Sequence, residues 1–553
     1  MSHKQRKILS VLMVLQYLIT SVLTFQPVAS TYNSHISRKQ HIDERTFNGT
    51  NEQAHCDDIA IIGAGIAGTY ASWRLRQHHK RISIYEYSNR VGGRMHTVQF
   101  PDIPDINVEL GAMRFHSRAH ALLHQTIRQL GLPIKRFDLG SGPSPDTIVN
   151  VRGVHLRFEE LGGNKTPYRL QPNERKPTNQ LTWELFRNNT DVLTTNVPET
   201  YKKFYVKDRS GVHMYKQSVQ SLYHKYLSAE AQHYIRETFG FASLRSELSA
   251  SHEVQTSPPT TSSEDILTVA TGFSTIPKTL LQRFLRASIR HSIKLNHDLK
   301  AIRKRGDGCY NLFFEPTITR GSTTRAALPA TLKTTCAKKV ILATNRLSLE
   351  KLDWQGLYQP RIREYITKAV KDIPASKLYF SYDSPWWRRS PVYSNYIISD
   401  TPLRQTYDFG TSKLNPPKSV LQAMYMDSDV PYWEELFDRG YLNETIGDFI
   451  LMGKEFVQVI NKYLASIYKL PVKNIPTHAA AYLWKNYPFG GAWQTWMPGY
   501  VWPTVERQMT KPSTNDDVFV VSNAFNSRSL SLWSNGALQS VELAMPYFGL
   551  KPK

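Results

Sequence analysis

The chain has 553 residues, with 69 Lys or Arg against 46 Asp or Glu, a net charge of +23. With 41% hydrophobic residues and only three cysteines, it is neither a disordered polyelectrolyte nor a disulfide-stapled miniature, and it is too long for a single core. So basic a chain is expected at anionic surfaces such as bacterial envelopes or acidic polysaccharide. Nucleic acid is not an expected partner, because no recognised module is present and the basic residues are spread along the chain.

Residues 1–30 carry Lys4, Arg6 and Lys7, an apolar run from Ile8 to Phe25, and the ending Pro27-Val-Ala-Ser30. This is the layout of a cleaved secretory signal peptide, and it takes three of the positive charges with it. An N-terminal membrane anchor is the alternative. Gln16, Tyr17, Thr20 and Ser21 interrupt the run, however, and no other stretch approaches a membrane span. Polar residues 31–53 are expected to form a flexible leader. In an oxidising compartment Cys56, Cys309 and Cys336 should give one disulfide and one thiol. Cys56–Cys336 is the first choice, since each precedes an expected strand, and Cys309–Cys336 across a hairpin competes. Sequons at Asn48, Asn164, Asn188 and Asn443 fit a secreted glycoprotein. The 18 histidines show no metal-ligand spacing, so no metal is expected. His116, His120 and His124 are expected on one solvated helix face.

Ile59-Ala-Ile-Ile62 reads as a buried strand, followed by Gly63-Ala64-Gly65-Ile66-Ala67-Gly68 and a helix over Thr69 to Gln77. In this G-x-G-x-x-G pattern Gly63 permits a tight turn and Gly65 a close approach to a pyrophosphate, while Gly68 lets helix and strand pack. The helix start offers unpaired N–H groups to phosphate. A second strand, Ile82-Ser-Ile-Tyr85, ends at Glu86, the spacing at which a carboxylate receives a ribose diol. Arg90-Val-Gly92-Gly93-Arg94 then sets two cations and a bare backbone beside the same phosphates. This run resembles the second signature of the FAD-dependent amine oxidases. No second G-x-G-x-x-G occurs, which favours an oxidase reoxidised by oxygen over a nicotinamide-dependent reductase.

Glu109-Leu-Gly111-Ala112-Met113-Arg114 is similar to a loop of the L-amino-acid oxidases within that family. The resemblance implies that this loop lies against the isoalloxazine and that Arg114 binds the substrate carboxylate. A planar guanidinium suits that task because it can meet both oxygens. Helices are expected at Val219 to Tyr226 and Ala229 to Thr238, with no chemistry attached. Strands follow around Ile293 to Ile302, Cys309 to Glu315 and Thr335 to Ala343; by resemblance the backbone of Leu299 meets the adenine. Lys377, before Pro385-Trp386-Trp387, resembles the family lysine that holds a water near flavin N5. Tyr407-Asp408 stands where many relatives have two tyrosines. Asp408 is expected to pair with Arg114 or to read a cationic substrate side chain. Tyr-Asp here, with the wider run of matches, resembles a molluscan antibacterial branch of the family. In the last segment, Asp517 to Val521 reads as a strand and Ser534 to Glu542 as the closing helix. Asn523 replaces the family's ribityl-binding glutamate, while Trp533, walling the substrate site, and Ala537 are retained.

The expected fold is therefore α/β. A Rossmann-like FAD-binding domain of amine oxidase type is assembled from residues 54–160, 271–350 and 481–553. An α+β substrate-binding domain from 161–270 and 351–480 is inserted between these segments. The implied reaction converts an L-amino acid, oxygen and water into a 2-oxo acid, ammonia and hydrogen peroxide, with hydride passing from the α-carbon to FAD. Arg114, Lys377 and Trp533 are the expected catalytic-site residues, with Tyr407 and Asp408 as further substrate contacts. Peroxide release at an anionic bacterial surface implies an antibacterial role, with Asp408 favouring basic amino acids. Two alternatives stand beside this: a polyamine or monoamine oxidase, which has no use for Arg114, and a flavin-fold glycoprotein of mucus or egg coat that has lost catalysis. A homo-oligomer is compatible with the sequence.

Overall fold

The computed structural model describes residues 56–553, apart from 79, 140–143, 145, 198, 255–265, 321–322, 329–330, 437–443, 447–448, 452 and 529–532. The expected signal peptide and leader, Asn48 and Asn443 lie outside these residues; Asn164 and Asn188 are exposed. Among the described residues no helix is long and apolar enough to cross a membrane.

Ile59, Ala60 and Ile61 are all buried, as a parallel strand covered on both faces requires. The strand Asp57–Ile62 is central to an eight-stranded sheet. It pairs in parallel with Ile82–Tyr85 on one side and Lys333–Leu342 on the other. His291–Lys294 extends the first side, and Val518–Val520 pairs in parallel with Lys333–Leu342. Tyr310–Arg320 and His297–Lys304 continue the sheet in antiparallel fashion. One sheet thus draws strands from residues 57–85, 291–342 and 518–520. The helices Ile66–Leu75, Thr275–Ala287 and Ser534–Ala544 pack on one face, while Trp354, Trp496 and Trp502 fill the other. The first helix begins at Ile66, three residues before the expected start, directly at the glycine turn.

A seven-stranded sheet runs in the order His478–Trp484, Ala375–Tyr382, Ser419–Met426, Gln405–Thr411, Tyr396–Ser399, Ile148–Val151, Val154–Arg157. Helices Thr178–Asn189, Val219–Tyr226 and Ala229–Thr238 cover one side, and Lys454–Tyr468 the other. The second and third of these helices match the expected bounds, each started by a serine, Ser218 or Ser228, whose side chain accepts from a backbone N–H of the first turn. The histidine face does not form. His116 lies in the short strand Phe115–His116 and His120 caps the helix Ala121–Leu130, so only His124 is helical.

Cys56 and Cys336 are disulfide-bonded, the first of the two expected pairings, and Cys309 is free. The register explains the choice: Asp57 lies beside Ala337 in the parallel pair, which brings the preceding residue of each strand together.

Two glycines set the first turn. Gly63 has φ +105°, and a Cβ on Gly68 would lie 1.9 Å from the Gly63 carbonyl oxygen. Gly68→Ala should therefore destabilise the fold by about 1–3 kcal/mol through overpacking. Thermal denaturation should show this against Gly306→Ala, where a Cβ meets nothing within 4 Å.

Candidate active site

A cavity of about 440 Å³ runs between the two sheets. Glu86 and His297 to Leu299 line one end, with Gly63, Gly65 to Ala67, Gly92 and Gly93 next along the wall. Gly111 to Arg114, Lys377, Tyr425 and Trp533 line the other end.

At the first end the Glu86 carboxylate is fixed from beneath. One oxygen accepts from the Ala64 N–H at 2.7 Å; the other accepts from the Ser88 N–H at 3.0 Å and hydroxyl at 2.8 Å. The helix Ile66–Leu75 has no side-chain cap and no acidic residue in its first turn, so its positive end remains open toward the cavity. Arg94 is half-buried beside it, donating to Ala492 O (2.9 Å), Gln494 Oε1 (3.1 Å) and Asn345 Oδ1 (2.8 Å). All three acceptors are neutral, and burial pulls the guanidinium down to about 10. Arg90 behaves differently from expectation. It donates to Gly93 O at 2.8 Å and secures the turn, and it does not line the cavity. Ala64 and Gly68 likewise shape the turn from behind.

At the far end Lys377 is buried at the middle of a fully buried strand. Its ammonium donates to Gly111 O (2.6 Å) and Glu109 O (3.1 Å) and lies 4.7 Å above the Tyr425 ring. Burial and the neighbouring Arg114 draw it down to about 7, with the Glu109 carboxylate opposing. Glu109 is also buried and is pushed up to about 7, although its carboxylate accepts from the Phe273 N–H (2.9 Å) and the Thr97 hydroxyl (2.7 Å). Arg114 is buried, lies 5.5 Å from the Phe137 ring and hydrogen-bonds Tyr407. The Tyr407 hydroxyl donates a hydrogen bond to Gln405 Oε1 at 2.9 Å. Tyr407 thus stands behind Arg114 and off the cavity wall.

Asp408 requires a correction. Strand alternation puts it on the opposite side from Tyr407. There it accepts from Arg388 Nε (2.6 Å) and Nη2 (3.0 Å) and from the Tyr393 hydroxyl (2.8 Å). It neither pairs with Arg114 nor faces the cavity. Trp533 does line the cavity, its ring 4.7 Å from His120 and 5.3 Å from His116. Burial, helped by His116, drives His120 down to about 3, so this buttress is neutral. Asn523 and Ala537 line the wall near it, and Leu299 the opposite end.

Several lining groups escaped sequence reasoning. Phe239, Phe241 and Tyr425 come from segments with no motif, and only the fold gathers them with Trp493. Glu109 adjoined a recognised loop, but nothing in the sequence showed that it would be buried beside Lys377.

Residues 66–500 match the family model described as flavin containing amine oxidoreductase. The chain belongs to this family. It is 31% identical to aplysianin-A of Aplysia kurodai over 513 residues, covering 89% of this chain and 92% of the relative. It is 30% identical to achacin of Lissachatina fulica, covering 88% and 92%. An L-amino-acid oxidase of Mus musculus is 24% identical, covering 64% and 52%. Among solved structures, cyclohexylamine oxidase from Brevibacterium oxydans IH-35A superposes with a TM-score of 0.62 at 15% identity, covering 89% of this chain and 98% of that one.

The amine oxidoreductase cofactor is FAD, and this chain's own residues fit it. Arg94 is a half-buried cation whose described hydrogen-bond acceptors are all neutral, next to an uncapped helix start. Together they provide for a pyrophosphate. Glu86 keeps lone pairs for ribose hydroxyls. Gly111 to Met113, Lys377, Asn523, Trp533 and Ala537 would flank the ring system and its ribityl chain.

Because Glu109 supports the charge on Lys377, Glu109→Gln should lower the lysine pKa further. The alkaline limb of the pH–activity profile should then move to lower pH by about one unit. A limb that does not move would detach Lys377 from the pH dependence.

Proposed function

We propose that the protein is a secreted FAD-dependent L-amino-acid oxidase that forms a 2-oxo acid, ammonia and hydrogen peroxide. The observation carrying this reading is Arg114, a buried guanidinium on the cavity wall that hydrogen-bonds Tyr407. A free amine gives such a cation nothing to bind; an α-amino acid gives it a carboxylate. FAD, when bound, supplies the acceptor for the hydride of the amine-bearing carbon and passes the electrons on to oxygen.

The remaining work belongs to the protein. Arg114, held by Tyr407, orients the carboxylate, so the α-carbon is presented in one pose. Lys377 provides a positive charge that eases electron transfer toward oxygen. Its low pKa, near 7, also lets it exchange a proton at Nζ in the neutral range. Trp533 and Tyr425 exclude water from the reacting carbon.

The rival reading is an amine oxidase, favoured by the likeness to cyclohexylamine oxidase, which concerns the fold. Arg114 separates the two. Arg114→Ala should lower kcat/KM for L-amino acids by about 10²–10³-fold while the bound flavin is retained. Unchanged turnover of amino acids, or turnover of amines alone by the wild type, would sink the oxidase reading.

Secretion is supported by the signal-like residues 1–30, and the charge remaining after their removal suits an anionic envelope. Released peroxide is then the antibacterial agent, and bacterial killing should disappear when catalase is added. Killing that survives catalase would assign it to another cause.

A further inference from the structure

The basic residues are spread along the sequence, but the fold gathers a large share of them on one face. Residues 59–85, 110–137, 266–297 and 518–553 supply the helices Ile66–Leu75, Ala121–Leu130, Thr275–Ala287 and Ser534–Ala544, which pack over one core. These four stretches contain seventeen Lys or Arg and a single carboxylate, Glu542. Most of the net charge of +23 therefore resides in them.

The ends of the first two helices meet Arg283 and the last residues of the chain. Arg283 donates to Gln129 O and Leu130 O, both at 2.8 Å. Lys553 Nζ donates to Gln129 Oε1 at 3.2 Å and lies 4.7 Å from the centre of the Trp73 ring. The Arg76 guanidinium lies at the same distance from that ring and donates to Trp73 O at 2.6 Å. Arg128 and Arg286 are exposed on the flanking turns, and Arg290 is exposed just beyond its helix. Glu542 is taken up by Arg74, by the Tyr70 hydroxyl and by the Lys553 N–H.

Helix ends account for part of this charge. A C-terminus favours a cation, and Arg74, Arg128 and Arg286 lie in the last turns of their helices. The others add to that and crowd one another. Burial, then Arg283 and Arg74, hold Arg76 below the ordinary guanidinium range, and burial, then Arg74 and Arg76, lower Lys553. Such crowding opposes folding, and a polyanion laid across the face relieves it.

The arrangement also indicates what kind of polyanion fits. The cations come from separate segments and spread over exposed surface, which suits an extended polymer better than a small ligand. Most are arginines, whose planar fork meets two oxygens of a sulfate or phosphate. Ile289 is exposed beside Arg290, but a surface that enters a bilayer carries a row of such residues. None of these cations lines the cavity, and the helix Ile66–Leu75 sets Arg76 about 15 Å from the turn that does.

We propose that Arg76, Arg128, Arg283, Arg286, Arg290 and Lys553 form a docking face for a linear glycopolymer bearing sulfate or phosphate groups. This deepens the anionic-envelope part of the function proposed above and is independent of the oxidase chemistry. The cavity stays open while the face is occupied.

Binding of the purified mature protein to dextran sulfate, wall teichoic acid and uncharged dextran tests it, with Kd followed as salt is raised. Dextran sulfate, teichoic acid or both should bind, the tighter naming the source of the anion, and uncharged dextran should not. Combining Arg128→Gln, Arg286→Gln and Arg290→Gln should weaken binding at least about ten-fold and flatten the slope of log Kd against log salt by about two to three. The pair Arg286→Gln and Arg290→Gln should give about a three-fold loss, and it decides the matter if the triple variant does not fold. A control with the same charge change on other exposed residues, Lys165→Gln, Arg209→Gln and Lys473→Gln, should shift Kd by less than about two-fold. Equal weakening by both triple variants, or binding of neither anionic polymer, overturns the face. Tighter binding of phosphatidylglycerol vesicles or of duplex DNA overturns it by assigning the surface to a membrane or a nucleic acid. Peroxide release by the same samples without polymer reports the oxidase separately, so a silent enzyme that still binds sinks only that reading.

Discussion

Arg114 and Lys377 are buried cations that face one cavity and repel each other across it. A protein interior holds two such charges only if something makes them worth their desolvation. Part of that compensation is local: carbonyl oxygens of Glu109 and Gly111 for Lys377, a tyrosine hydroxyl for Arg114, and the carboxylate of Glu109 nearby. On the reading proposed above, a substrate carboxylate meeting Arg114 adds to this compensation. Lys377, drawn down to about 7, is then poised between its charged and neutral forms at physiological pH.

The surrounding architecture exists to bring these residues to one place. The Gly111–Arg114 loop leaves the hairpin Thr97–Phe100 and Ile103–Glu109, and Lys377 comes from a strand more than 260 residues later. Trp484 and Tyr379 reinforce the junction by donating to Leu110 O and Glu109 O, at 2.8 and 2.9 Å. A second chain of contacts runs behind the other end: Arg346 pairs with Asp372, Asp372 accepts from Gln494, and Gln494 accepts from Arg94. The cation at each end is thus oriented by hydrogen bonds to the surrounding framework.

Much of this was legible in the sequence where chemistry is local. The strand, glycine turn, helix and acid from Asp57 to Glu86 lie within thirty residues, and the required residue types sit at spacings that leave little choice. Lys377 was legible through family likeness. Asp408 was misread because the side a strand residue faces depends on register, and this strand has bulges between Gln405 and Tyr407 and between Asp408 and Gly410. Arg90 was misread because a long side chain beside its own glycine turn can bond the turn itself. The aromatic wall was invisible, since Phe241, Tyr425 and Trp493 meet only after three distant segments pack, and each alone reads as ordinary core.

The half-reaction of the flavin tests the central claim most directly. Purified protein can be mixed without oxygen with an L-amino acid, its D-enantiomer, or the corresponding amine lacking the carboxylate, while the visible flavin band is watched. The account predicts that the L-amino acid alone bleaches the band, because Arg114 sets one carboxylate position and the walls admit one hand. Bleaching by the amine as readily as by the amino acid would contradict it, since the buried Arg114 would then have no part in choosing the substrate.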